Sequence, residues 1–152
     1  MRILVQRVAE AWVEIEDVPT RKAGRGLLGL IGFRKGDEAA LVAPMAEKFL
    51  NLRIFEDAHR KMNLSLLDVA GDLVVVPQFT LYADCRKGRR PGFSGALEPE
   101  RAKALFIRFQ EACRVTFPEM ISGEFGATMQ VHLVNDGPVT ILLDSNELLL
   151  TP

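Results

Sequence analysis

The sequence predicts an α+β fold: a mixed, mostly antiparallel β-sheet curled toward a barrel, with two helices inserted between strands. Three observations predict it. Apolar runs of strand length recur from end to end. Only two segments carry apolar residues at helical spacing. The two kinds of element do not alternate in regular βαβ order, which a parallel doubly wound sheet would require. A chain of 152 residues suits one domain, 1–152.

The elements follow in order. Residues 2–8 and 11–16 read as strands, the second with Trp12, Glu14 and Glu16 alternating with Ala11, Val13 and Ile15. Gly24-Arg25-Gly26 punctuates, and Leu27 to Phe33 is apolar on both parities, as in a strand buried on both faces. Gly29 and Gly32 inside it mark close backbone approach or a bend. Asp37 is placed to N-cap a helix over 38–50, with Val42, Met45, Ala46 and Phe49 on one face. Pro44 requires that this helix either start late or kink.

Arg53-Ile54-Phe55 is a short strand, followed by a polar turn and Met62 to Leu66. Asp72 to Leu81 reads as a strand and 82–97 as a loop rich in Gly, Arg and Pro. Pro99 sits near the start of a second helix over 98–115, whose apolar stripe is Ala102, Leu105, Phe106, Phe109 and Cys113. Residues 122–135 and 139–144 read as two final strands joined at Asp136-Gly137-Pro138.

Hydrophobic residues make up 48% and charged residues 26%, an ordinary globular mixture. A net charge of −1 excludes a broadly cationic nucleic-acid coat but leaves room for a local basic patch. Cys85 and Cys113 lack metal or redox spacing and read as reduced, packing thiols. No metal site and no cofactor is expected. Gln6 and Arg7 break the first apolar run before it can form a signal-peptide core, and no apolar stretch approaches membrane length. A cytoplasmic protein without membrane contact is expected.

Chemistry is sparse. There is no G-x-S-x-G elbow and no HExxH. His59 lies in a charged turn and reads as solvated; His132 sits mid-strand and reads as a residue with one satisfied hydrogen bond. Neither is a good general base, which argues against a Ser-His-Asp hydrolase. Thr80 is the hydroxyl best placed at a site. A strand threonine is ordinarily structural, but Gln78 shares its parity and a basic loop, Arg86, Lys87, Arg89 and Arg90, follows directly. Such a loop is ordinarily a solvated face; here it could contact phosphates. Gly137-Pro138 reads first as a turn, and base rates favour a trans bond there.

Six motifs stand in the order and spacing of the D-aminoacyl-tRNA deacylases: Gln6-Arg7-Val8, Gly26-Leu27-Leu28, Lys61-Met62-Asn63-Leu64, Gln78-Phe79-Thr80-Leu81, Arg90-Pro91-x-Phe93, and Asn135-Asp136-Gly137-Pro138-Val139-Thr140. The chain resembles that family over nearly its full length. The resemblance implies a homodimer with an intersubunit active site, where the Gln78-Phe79-Thr80 motif of one subunit meets the Gly137-Pro138 motif of the other. It implies a cis Gly-Pro peptide whose carbonyls face the substrate's α-amino group, so that an L-residue is excluded. It places Arg7 as support for that segment and Phe125 and Met129 along the neighbouring pocket.

The implied reaction is hydrolysis of the ester between a D-amino acid and tRNA, with Gly-tRNA as a second substrate. Main-chain amides around Phe79 and Thr80 would hold the oxyanion. Thr80 would orient a water or the substrate, and the ribose 2′-hydroxyl would take part. Aminoacyl-tRNA and a second copy of the chain are the expected partners; DNA is not. Pro77 departs from the family's Ser-Gln-Phe-Thr-Leu and excludes a catalytic hydroxyl at that position. A related branch with relaxed chirality carries Pro-Gln with a smaller residue in place of Phe; Phe79 is retained here, so D-specificity is expected. Three alternatives stand beside this reading: a deacylase with relaxed chirality, a non-catalytic module that binds the tRNA end, and a purely structural dimerisation domain.

Overall fold

The computed structural model describes residues 1–148. Five strands form one mixed sheet in the order β6-β5-β2-β1-β7, with β1 Arg2–Ile15, β2 Gly26–Gly32, β5 Asp72–Pro77, β6 Ile121–Ser122 and β7 Met129–Asp144. A separate hairpin pairs β3, Phe55–Glu56, with β4, Met62–Leu64. The helices are α1 Val42–Leu50, α2 Pro99–Arg114 and a short α3 Ser145–Leu148, one more than the sequence predicts.

β1 runs antiparallel to both β2 and β7, while β2–β5 and β5–β6 are parallel. β2 is buried on both faces, as its unbroken apolar run demands. Leu27 and Ile31 face a core shared with Leu73, Val75, Phe49 of α1 and Phe106 and Phe109 of α2. Leu28 faces the opposite cluster with Val74, Val76, Val8 and Val13. The two glycines of β2 mark close approach: a Cβ at Gly29 would lie 2.7 Å from the Phe49 ring, and one at Gly32 would lie 2.8 Å from the Gln78 carbonyl oxygen.

Several expectations are corrected. The sheet does not close into a barrel; β6 and β7 are its edges. It does curl: Met129, at the start of β7, reaches Gly123, beside Pro77 and Val76 at the end of β5. The predicted strands 2–8 and 11–16 are one strand, because register shifts between Gln6, Val8 and Glu10 absorb the break in alternation. Residues 122–135 and 139–144 likewise do not make two strands. Ile121–Ser122 pairs with β5 on its own, and β7 runs through Asp136–Pro138 without a turn.

β5 ends at Pro77, before the predicted Leu81, and Phe79–Tyr82 forms a 3-10 turn. Asp37 caps nothing. It is buried and pairs with the Met1 ammonium at 2.8 Å, while α1 starts late, with Pro44 in its first turn. A buried ammonium needs a counter-charge more than a solvent-facing helix end needs a cap.

Candidate active site

The Gln78-Phe79-Thr80 motif sits where β5 stops. Pro77 is in register with Ile31 of β2, and the Gln78 amide then donates to the Ile31 carbonyl at 2.7 Å. The chain turns over Gly32, which has no side chain to obstruct it. The Phe79 and Thr80 amides open the 3-10 turn, and neither finds an acceptor among the described residues. The Gln78 side-chain amide donates to Thr80 Oγ1. The Thr80 hydroxyl proton is therefore free to donate outward. Phe79 is 54% exposed and meets Phe93 edge to face at 5.1 Å, so this motif presents aromatic surface as well as polar groups.

The second motif lies within β7. Gly137 has φ +141°, a conformation suited to glycine, and the Gly137–Pro138 peptide is cis. Arg7 holds the segment from below. Its Nε donates to the Asp136 carbonyl at 3.0 Å and its Nη1 to the Ile54 carbonyl at 2.6 Å, with the Asp136 carboxylate 3.4 Å away. Arg7 is buried, and these partners are what a buried guanidinium requires. Asn135 spans the segment through Val139 and Thr140.

Within one protomer the two motifs lie apart. Arg7, beside Gly137, is in register with Leu27 and Leu73, whereas Pro77 is in register with Ile31, Ile3 and Leu143. Four residues along and three strands across put them roughly 20 Å from each other at ordinary sheet spacings. Met129 lies at the Pro77 end, beside Gly123. Phe125 is half-buried and packs against Phe106, 6.4 Å between ring centroids.

The basic loop divides in two. Arg86 is folded onto Asp84 through two bonds of 2.8 and 2.7 Å, and that hydrogen-bonded pairing holds the Asp84 carboxyl well below its ordinary range. Lys87, Arg89 and Arg90 are exposed and form no ion pair among the described residues. Two open clefts of about 600 and 550 Å³ flank the loop; neither is lined by Gln78, Thr80, Gly137 or Pro138.

A model of the D-Tyr-tRNA(Tyr) deacylase family matches residues 4–144. The chain belongs to that family. It is thereby an enzyme of the hydrolase class. It is 53% identical over 147 residues to the D-aminoacyl-tRNA deacylase of Thermosipho africanus, covering 97% of this chain and 99% of that one. It is 51% identical over 149 residues to that of Petrotoga mobilis, with the same coverage. Among solved structures, the c-Myc DNA Unwinding Element Binding Protein superposes with a TM-score of 0.88 at 39% identity, covering 95% of this chain and 99% of that one. A probable eukaryotic D-amino acid tRNA deacylase superposes with a TM-score of 0.80 at 21% identity over 93% of this chain and 97% of that one, a likeness of fold.

The histidines differ from expectation in one respect. His59 is exposed, but His132 Nε2 has no hydrogen-bond partner; its ring stacks on Trp12 at 4.6 Å, with Glu14 3.5 Å from Nε2. Cys113 is buried, which pushes its thiol up to about 12, whereas Cys85 is exposed and does not pack as predicted. Three residues of this deacylase-family chain escape the sequence reading of the site. Asn135 and Phe93 stand inside quoted motifs, but side-chain partners across a bend leave no periodic signal. Arg2 stands outside every motif.

Proposed function

We propose that the protein hydrolyses the ester joining a D-amino acid to the terminal ribose of tRNA, as a homodimer whose sites are each built from two protomers. One observation carries this reading: both motifs are intact, yet they sit three strands and four register positions apart on one protomer's sheet. A second copy can supply what each motif lacks. A surface for it exists. Leu30, Leu4 and Leu142 are in register on three adjacent strands and remain partly exposed; Leu142 is 50% exposed. A row of that kind on a sheet face suits an isologous partner.

In the reaction, water adds to the ester carbonyl, the ribose oxygen leaves with a proton, and free D-amino acid and tRNA result. The unbonded amides of Phe79 and Thr80 meet the developing oxyanion. The Thr80 hydroxyl, held by Gln78, directs its proton to the attacking water or the substrate. With neither histidine bonded to the turn among the described residues, the substrate's own 2′-hydroxyl is the group available to assist. The partner's Gly137–Pro138 main chain forms a wall on the side where an L side chain would project, with Arg7 holding it and Phe125 and Met129 nearby. Glycine has no side chain to exclude, so Gly-tRNA is also a substrate. Lys87, Arg89 and Arg90 take acceptor-end phosphates.

Mixed dimers test the shared site. Thr80→Ala and Gly137→Ala chains are each inactive alone. A heterodimer of the two carries both defects in one site and none in the other, so about half the wild-type rate returns. No recovery in a folded heterodimer would place both motifs in the same protomer's site and contradict the reading. Because one structural neighbour is named for DNA binding, a duplex DNA arm accompanies tRNA in the binding assay; the reading predicts preference for tRNA.

A further inference from the structure

We infer that Arg2 is a positioning residue for the reaction, holding the Phe79–Tyr82 turn in place through the carbonyl of Leu81. The inference rests on the deacylase reading above. Arg2 Nη1 donates to the Leu81 carbonyl at 2.9 Å, its Nε donates to Asp144 Oδ2 at 2.8 Å, and its guanidinium lies over the Tyr82 ring at 4.8 Å. One side chain at the start of β1 thus joins the end of β7 to the last residues of the turn.

The turn needs such a tether. At its start, the Gln78 amide is fixed to Ile31, and Leu81 packs against the bare backbone of Gly32. Inside the turn the Leu81 amide reaches the Gln78 carbonyl only at 3.4 Å; the Ala83 amide closes the turn on the Thr80 carbonyl at 3.0 Å, and the Leu81 carbonyl receives no main-chain donor among the described residues. A short helix leaves its last carbonyls without internal donors, and an arginine commonly supplies one. Arg2 does so here, two residues beyond the Phe79 amide.

Arg2 is itself firmly placed. The preceding Met1 is buried, its ammonium held by Asp37 at 2.8 Å and by Ser145 Oγ at 2.6 Å, and its carbonyl accepts from the Ser145 amide at 2.9 Å. Asp144 is buried, and the Asn146 amide donates to its other oxygen at 3.0 Å. An exposed ion pair alone would matter little. A guanidinium fixed at both ends and bonded to the turn that carries the candidate oxyanion amides has a different consequence. Losing it shifts those amides, while Lys87, Arg89 and Arg90, which Arg2 does not contact, stay exposed and charged.

The test compares Arg2→Met and Arg2→Lys with wild type on D-Tyr-tRNA, with hydrogen exchange of the 79–83 amides as a second readout. Arg2→Met should lower kcat about tenfold or more, since small misplacements of reacting groups cost that much, with KM held within about twofold. Exchange at Leu81 to Ala83 should speed up while β2 stays protected. Arg2→Lys, which keeps one donor, should recover part of the rate. Ala46→Gly, which weakens α1 far from the turn, is the control for lost stability. Unchanged kcat and exchange in Arg2→Met, or an equal kcat loss in Ala46→Gly, would overturn the inference. An inactive wild type would instead overturn the deacylase reading, and exchange alone would then decide whether Arg2 holds the turn.

Discussion

Asn135 grips Val139 twice: its Oδ1 accepts from the Val139 amide at 2.7 Å, and its Nδ2 donates to the Val139 carbonyl at 3.1 Å. The bond pair closes a loop around Asp136, Gly137 and Pro138, and it gives the Val139 main chain side-chain partners where the pairing with β1 skips from Asn135 to Thr140. The same Nδ2 reaches Thr140 Oγ1, which also accepts from Gln6 on β1.

Asn135→Ala removes all three bonds and leaves the Val139 amide and carbonyl without their side-chain partners. The expected cost is about 1–2 kcal/mol in urea unfolding, with a fall in deacylation. Asn135→Asp keeps the acceptor and should recover part of the stability.

Gly137→Ala meets two obstacles. The residue has φ +141°, and its Cβ would lie 2.9 Å from the Val139 amide nitrogen and 3.2 Å from Arg7 Nη2. Backbone strain of that kind costs about 1–3 kcal/mol. Turnover should be lost even in the fraction that folds, because both the wall and its arginine support shift. Circular dichroism with single-turnover deacylation separates the two effects.

The sequence showed the buried strand β2, the apolar faces of α1 and α2, and the two motifs that end up three strands apart on the sheet. It did not show how elements are interrupted. The bends in β1 and β7 looked like strand ends because a bulge breaks alternation just as a turn does, and only cross-strand hydrogen bonding distinguishes them. Asp37 looked like a cap because capping is local, whereas its partner is the Met1 ammonium, brought to it by the fold. Arg2 was invisible for the same reason: its three contacts lie at Leu81, Tyr82 and Asp144.

The loop residues should differ in their salt response. Alanine at Lys87, Arg89 or Arg90 should each reduce the slope of log K against log salt for tRNA binding by about 0.7–0.9. Arg86→Ala should leave that slope nearly unchanged, since Asp84 already neutralises Arg86. Filter binding across a potassium chloride series checks this.

Acid should weaken the Arg2 tether. Burial alone would raise the Asp144 carboxyl, but the Arg2 hydrogen bond, the Asn146 amide and nearby positive charge together hold it below the ordinary value. A carboxyl depressed in the folded state stabilises the fold above its unfolded pKa, and that contribution is lost as pH falls through the folded value. The stability gap between wild type and Asp144→Asn should therefore be fully present at neutral pH and shrink as pH drops below about 4. Unfolding midpoints measured from neutral pH to pH about 2 would show it.

The most direct measurement is deacylation of matched D-Tyr-, L-Tyr- and Gly-tRNA by the purified protein. Exclusion by a main-chain wall predicts rapid release from D-Tyr- and Gly-tRNA and release from L-Tyr-tRNA at least about a hundredfold slower, as steric rejection allows. Equal rates on D-Tyr- and L-Tyr-tRNA would contradict it.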